Sequence, residues 1–192
     1  MEPIIQPSNK QEFLNNLLTK ENVVKEVKNN TNQLLQVIPE IKPMIGFEHK
    51  HPHHHLDVWE HTLLALSLAP NNLNTRLALL LHDIGKPQSY QDDQDIRHFY
   101  GHAEESAKIS REILTRLKYD ENQINSICKI ILMHDTPITD EDISANKSFA
   151  QQLFEVQRCD ALAHNPEKNA KRLEYVARMQ AIFNENKYGC HK

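Results

Sequence analysis

The stretch HPHHHLDVWEH, residues 51–61, places five of the chain's twelve histidines in eleven positions. Imidazole is the commonest metal-ligating side chain and the one whose charge changes near neutral pH. A histidine run alone also reads as a pH-sensitive patch or a bias of composition. A lone histidine on an apolar helix is more often a packed, hydrogen-bonded core residue. Partners elsewhere decide between these readings. They are His82 and Asp83 in LALLLHDIGKP, His102 in FYGHAEESA, His134 in ILMHD and Asp160 in QRCDALAHNP. The order H…HD…D, with the pair at a helix end before IGKP, lifts metal chemistry above chance. Imidazole and carboxylate donors together suit first-row transition ions, with magnesium and manganese feasible where carboxylate and water dominate.

Such donors must be carried by elements that converge. Ser8 and Gln11 make a capping-box start for a first amphipathic helix through Phe13, Leu14, Leu17 and Leu18. Val23, Val24 and Val27, then Leu34, Leu35 and Ile38, predict a second helix that ends before Pro39. A breaker-rich connector, PEIKPMIGFEHKHP, leads to a third helix over about 57–69 that contains His61. Asn74 is the expected N-cap of a fourth, which runs into His82 and Asp83 and stops at Gly85 and Pro87. The polar stretch 88–101 predicts a surface loop with Asp92, Asp93 and Asp95 at a solvated tip. Helices are expected over about 102–118, 121–134 (Asp120 and Gln123 as capping box) and 148–163. A last one starts at Asn165-Pro166. His102 opens one helix, His134 closes the next, and Asp160 lies late in the third. No alternating strand pattern stands out, so the expected class is all-α, a helical bundle in which interior ligands come from separate helices.

Composition sets the outer bounds. The 192 residues suffice for one domain with an appended arm, and 39% hydrophobic with 25% charged residues is a globular mixture. A formal charge of −4 gives no global pull toward nucleic acid or anionic membrane. Cys128, Cys159 and Cys190 are odd in number and far apart, which argues against a zinc ribbon or a disulfide framework. The start MEPIIQPSNK lacks a basic and then apolar leader pattern, and no apolar run approaches a membrane span. A soluble cytoplasmic protein is the default expectation, with no membrane and no protein partner indicated.

Together, DVWEHTL, LALLLHDIGKP, FYGHAEESA, ILMHD and QRCDALAHNP resemble the HD superfamily of metal-dependent phosphohydrolases. More narrowly, VIPEIKPMIGFEHKHPHHHLDVWEHTL is similar to the segment entering the HD domain of bacterial CCA-adding tRNA nucleotidyltransferases. The resemblance covers roughly residues 35–170. The nucleotidyltransferase segment of that family, with its glycine-rich start and paired aspartates, has no counterpart here. Nucleotide addition is therefore not implied, and a stand-alone HD protein is expected, with an N-terminal helical arm (1–45) packed on an HD domain (46–192).

The resemblance implies His61, His82, Asp83 and Asp160 as ligands of a first divalent metal, one of Mg, Mn, Co, Ni, Zn or Fe. It implies His102 and His134 as ligands of a second, with Asp83 bridging. Asp57, one turn before His61, either accepts the proton of that ring's other nitrogen or simply caps the helix. His51, His53, His54 and His55 flank the cleft, with His54 or His55 as candidates to touch phosphate. Lys86, three residues after Asp83, is the candidate for neutralising substrate phosphate, because an ammonium is a compact charge that can meet phosphoryl oxygen. Arg158 and His164 flank Asp160 and complete the candidate substrate contacts, while Arg97, His98 and Tyr100 are left undecided. The implied chemistry is metal-assisted hydrolysis of a nucleotide or related phosphate ester, by Asp83 and Lys86 with the metals, and an RNA end is a feasible substrate. Two competing classes remain: an RNA-docking module with a structural metal, and an oxygenase with an iron pair.

Overall fold

Apolar residues at three- and four-residue spacing bury one stripe of most helices, but α5 (Leu73–Leu81) is buried all round from Thr75 to Leu81. A helix of that kind must be central. The structure, a computed structural model, describes residues 9–188. Around α5 pack α4 (Val58–Ser67), α8 (Glu121–Met133) and α10 (Lys147–Ala163). Helix α7 (His102–Arg116) pairs with α8, and α11 (Ala170–Tyr188) lies on α10. The class is all-α, as expected. No helix among the described residues is long and apolar enough to cross a membrane.

The N-terminal helices α1 (Lys10–Leu18), α2 (Val23–Asn29) and α3 (Thr31–Val37) add Leu14, Leu18, Val27, Leu34 and Val37 to the same hydrophobic cluster. Arg76 of α5 fastens them, donating to the carbonyls of Leu18 at 2.6 Å and Lys20 at 2.8 Å. Arg116 at the end of α7 grips Glu40 with two bonds, and Tyr119 donates to Asn15.

Several expected boundaries shift, each for a local reason. The second expected helix is two, broken at Asn30, whose side chain and backbone both donate to the Glu26 carbonyl. Short polar side chains that bond nearby backbone compete with helix continuation. Asn72, not Asn74, caps α5 by accepting from the Thr75 N–H. Asp120 caps α8, but Gln123 bonds Asn74 across the helix pair instead of closing a capping box. Residues 88–101 are not all loop: α6 (Lys86–Ser89) is followed by an antiparallel hairpin of β1 (Gln91–Asp93) and β2 (Ile96–His98). Asp92 is there paired with Arg97 rather than only solvated. A short helix α9 (Asp140–Ala145), capped by Thr139 with Asp142, had no apolar periodicity to reveal it. Asn165-Pro166 starts a 3-10 turn (Pro166–Lys168), and α11 begins only at Ala170. The expected capping box at Ser8 and the third cysteine, Cys190, lie outside the described residues. Cys128 and Cys159 are buried free thiols.

Two glycines set the approach of α7 to the end of α5. Gly101 precedes α7 at φ +73°, a left-handed conformation that side chains disfavour. At Gly85 an added Cβ would meet Ser106 N at 2.5 Å and the His102 carbonyl at 2.9 Å, while the Gly85 N–H donates to Ser106 Oγ. This contact carries His102 to the HD pair. Gly85→Ala is expected to cost about 1–3 kcal/mol by overpacking, seen in thermal unfolding as a fall of roughly 2–4 °C per kcal/mol for a chain of this size. An unchanged Tm would show that α7 can retreat freely.

Candidate metal centre

The central helix ends with His82 as its C-cap and delivers Asp83 immediately beyond, at 0% and 1% exposure. His61 comes from the middle of α4, His102 is the first residue of α7, His134 the C-cap of α8, and Asp160 stands late in α10. Five helices thus bring all six expected donors together. Ligand atoms of His61, His82 and Asp83 lie within 4.8 Å of one another, as do those of Asp83, His102 and His134. Asp83 belongs to both groups. His61, Asp160 and His164 form a third such group.

The orientation of the rings follows from backbone contacts. Nδ1 of His82 faces the Leu79 carbonyl at 2.7 Å, that of His102 the Phe99 carbonyl at 2.9 Å, and that of His134 the Ile131 carbonyl at 2.6 Å. His61 Nδ1 faces the Ala163 carbonyl at 3.3 Å. A carbonyl only accepts, so each ring donates through Nδ1 and turns Nε2 toward the carboxylates. There His61 Nε2 is 2.9 Å from Asp160 Oδ1, His82 Nε2 is 3.3 Å from Asp83 Oδ2, and the Nε2 atoms of His102 and His134 are 3.2 Å apart. His82 Nε2 and both Asp83 oxygens lack an aligned hydrogen-bond partner although buried. The shortest contact of Asp83 is an ion pair, Lys86 Nζ to Oδ2 at 2.8 Å.

Lone pairs turned on lone pairs and on buried carboxylates need a cation between them. The residues present therefore fit a divalent metal: nitrogen and oxygen donors, fixed Nε2 tautomers and unpartnered buried atoms. The charge balance shows the same demand. Burial alone would lower the His82 pKa, yet Asp83 and Asp160 outweigh it and raise the ring to about 10. Burial would likewise raise Asp83, but His82 and Lys86 hold it well below the usual carboxylate range.

Four of the donors, Asp83, His102, His134 and Asp160, floor a cavity of about 200 Å³ whose walls include His54, Lys86, Arg97, His98, Tyr100 and His164. The hairpin thus brings Arg97, His98 and Tyr100, undecided in the sequence, to the cleft. Two expected substrate contacts are not brought there. His55 is exposed and lines a separate cavity with Glu48 and Asp57. Arg158 turns away from Asp160 to bond Glu155 and the Leu68 carbonyl, since two residues along a helix are about 200° around it. Asp57 is the cap of α4, accepting from the Glu60 N–H at 2.8 Å, and does not hold His61.

Three residues were missed in the sequence. His49 is buried, donates through Nδ1 to the Leu56 carbonyl, and accepts from Lys86 Nζ at 3.1 Å. Burial, then the Lys86 charge, hold its pKa down at about 2. Asp135, in a second His-Asp pair, lies 3.1 Å from His102 Nε2. Arg172 of α11 bridges Asp160 at 2.6 Å and Asp135 at 2.8 Å. The repeated HD dipeptide was a readable signal; His49 and Arg172 sat in no pattern.

The family model described as HD domain matches residues 53–179, and the chain belongs to that family. It is similar to the CC-adding tRNA nucleotidyltransferase of Thermus thermophilus, 33% identical over 122 residues, covering 60% of this chain and 28% of that protein. The A-adding tRNA nucleotidyltransferase of Deinococcus radiodurans is 36% identical over 101 residues, 49% of this chain and 23% of that one. The Multifunctional CCA protein of Azoarcus sp. is 28% identical over 148 residues, 75% and 34% respectively. The chain therefore spans about a third or less of the length of these relatives.

The buried neutral rings give a pH signature. Burial lowers the pKa of His49 to about 2 and of His164 to about 4, and lowers His54 and His134 as well. Unfolded, each binds a proton near pH 6.5; folded, each resists protonation, so stability falls as pH drops below 6.5. The depressed Asp83 and Asp160 lose their contribution only below about pH 4, and the raised His82 loses its own only as pH rises above 6.5 toward about 10. Urea unfolding between about pH 6.5 and 5 should show a loss of up to about 1.4 kcal/mol per pH unit for each such histidine. Constant stability across that window would contradict the buried neutral assignment.

Proposed function

We propose that the protein is a metal-dependent phosphohydrolase acting on a nucleotide or related phosphate ester, as a phosphomonoesterase or a cyclic-nucleotide phosphodiesterase. His61, His82, Asp83, His102, His134 and Asp160 act as ligands of one or two divalent ions; the sharing of Asp83 by two donor groups favours two. When bound, such ions supply Lewis acidity to a phosphoryl group and lower the pKa of water at the site.

The observation that carries the reading is Lys86, an ammonium at 5% exposure beside the shared carboxylate and on the cavity wall. A structural metal needs no such neighbour, whereas phosphoryl transfer gains from a fixed charge where negative charge builds. His49 holds that charge in place by accepting from it, and its own neutrality avoids a repelling cation. His54 and His164 close the cavity beside it. Residues 1–45 serve as the arm and 46–192 as the HD unit. The tRNA nucleotidyltransferase relatives make an RNA end a substrate to test alongside small nucleotides.

The test is a screen of phosphomonoesters and cyclic nucleotides with added Mg, Mn, Co or Ni, followed by Lys86→Ala on the best substrate. Lys86→Ala should keep its metal yet lose on the order of 10²- to 10³-fold in rate, as for removal of other oxyanion-stabilising contacts. Lys86→Arg should rescue only part of it, since a planar fork replaces a point charge. Turnover of no phosphate ester with any metal, or an alanine variant as fast as wild type, would overturn the proposal or the role of Lys86 respectively.

A further inference from the structure

The metal-centre cavity, at about 200 Å³, is smaller than the roughly 300–1,000 Å³ that a whole small-molecule ligand usually occupies. A second cavity of about 650 Å³ adjoins it and shares His51, His54, His164 and Arg172 as walls. Its remaining lining comes from His53 and the segment 167–171. Ala170 is the only one of its lining side chains without a polar atom, so nearly every wall residue can offer a polar contact to a ligand. Lys168, Lys171 and Arg172 outweigh Glu167 there. Both amino groups of Arg172 are engaged by Asp160 and Asp135, whereas neither lysine is in an ion pair among the described residues; Lys28, Lys86 and Lys108 are.

The walls are held together rather than merely adjacent. The Asn165 N–H donates to the His53 carbonyl at 2.8 Å, and its side chain donates to the Pro52 carbonyl at 3.1 Å. His53 Nδ1 donates to the Lys168 carbonyl at 3.0 Å. The histidine-rich entry to α4 and the turn before α11 therefore form one lip. It sets the lysine backbone beside the cleft before any ligand arrives, which lowers the ordering cost of binding.

We propose that this compartment is a second phosphate subsite of the same active site, so that the preferred substrate is a phosphate ester whose organic part carries another phosphate. The proposal rests on the phosphohydrolase reading above. One phosphate meets Lys86 and the metal centre, and the other meets Lys168 and Lys171. The second phosphate can come from a nucleoside bisphosphate or from the next phosphodiester of an RNA end.

The experiment compares adenosine 5′-monophosphate, adenosine 3′,5′-bisphosphate and a 5′-phosphorylated dinucleotide on metal-loaded wild type and on the double variant Lys168→Gln/Lys171→Gln. Both lysines are exposed, so the fold is not at stake. In wild type, kcat/KM should be about tenfold higher for a doubly phosphorylated substrate than for the monophosphate, and the variant should lose that advantage through KM, as for two solvent-facing charge-assisted contacts. Its turnover of the monophosphate should be unchanged. An advantage confined to the bisphosphate assigns a small nucleotide; one shared by the dinucleotide assigns an RNA end. Equal kcat/KM for all three, or an advantage that survives in the variant, overturns the subsite while leaving the hydrolase reading intact. If none is turned over, calorimetric binding of the same ligands to the same metal-loaded proteins decides, with the same affinity pattern expected and equal affinities overturning it.

Discussion

A carboxylate taken to 1% exposure with neither oxygen in an aligned hydrogen bond is costly by several kcal/mol unless positive charge accompanies it. Asp83 imposes that demand at the end of the most buried helix of the bundle. Lys86 answers part of it from three residues away, and the upward pull of Asp83 and Asp160 on the His82 ring, to about 10, shows that the site still draws in positive charge. The remaining donors then become intelligible: four rings locked by backbone carbonyls point Nε2 at the same charge. A bundle built to bury only leucine and isoleucine would have no reason to converge five helix positions on one acid.

The same demand shapes the periphery. Gly85 and Gly101 let α7 come close enough to place His102 beside Asp83. Arg172 neutralises the outer oxygen of Asp160 and the exposed flank of Asp135, joining the two donor groups through α11. The hairpin adds Arg97, His98 and Tyr100 as one wall, and the turn at 165–168 adds the other. Around the buried acids Lys86 and Arg172 are held in ion pairs, whereas Lys168 and Lys171 on the outer lip are in none among the described residues.

Much of this was legible in the sequence because helices translate spacing into position. Helix 3.6-residue periodicity marked the helices that carry His61, His82, His134 and Asp160, and the convergence of those residues was implied by the resemblance that their order carries. What failed was proximity in sequence used as proximity in space. His55 neighbours His54 yet faces another cavity, and Arg158 neighbours Asp160 yet lies across the helix. His49 and Arg172 act through tertiary contacts 37 and 12 residues away, which no local pattern encodes. The break at Asn30 and the shifted cap at Asn72 reflect competition among several asparagines, each able to cap.

The most direct measurement is the number and position of ions in crystals soaked with manganese, read by anomalous scattering. Two peaks are predicted, both in contact with Asp83, one bordered by His61, His82 and Asp160 and the other by His102 and His134. No peak at Asp83, or a peak on one side of it alone, would contradict the account of a single buried carboxylate shared between two cations.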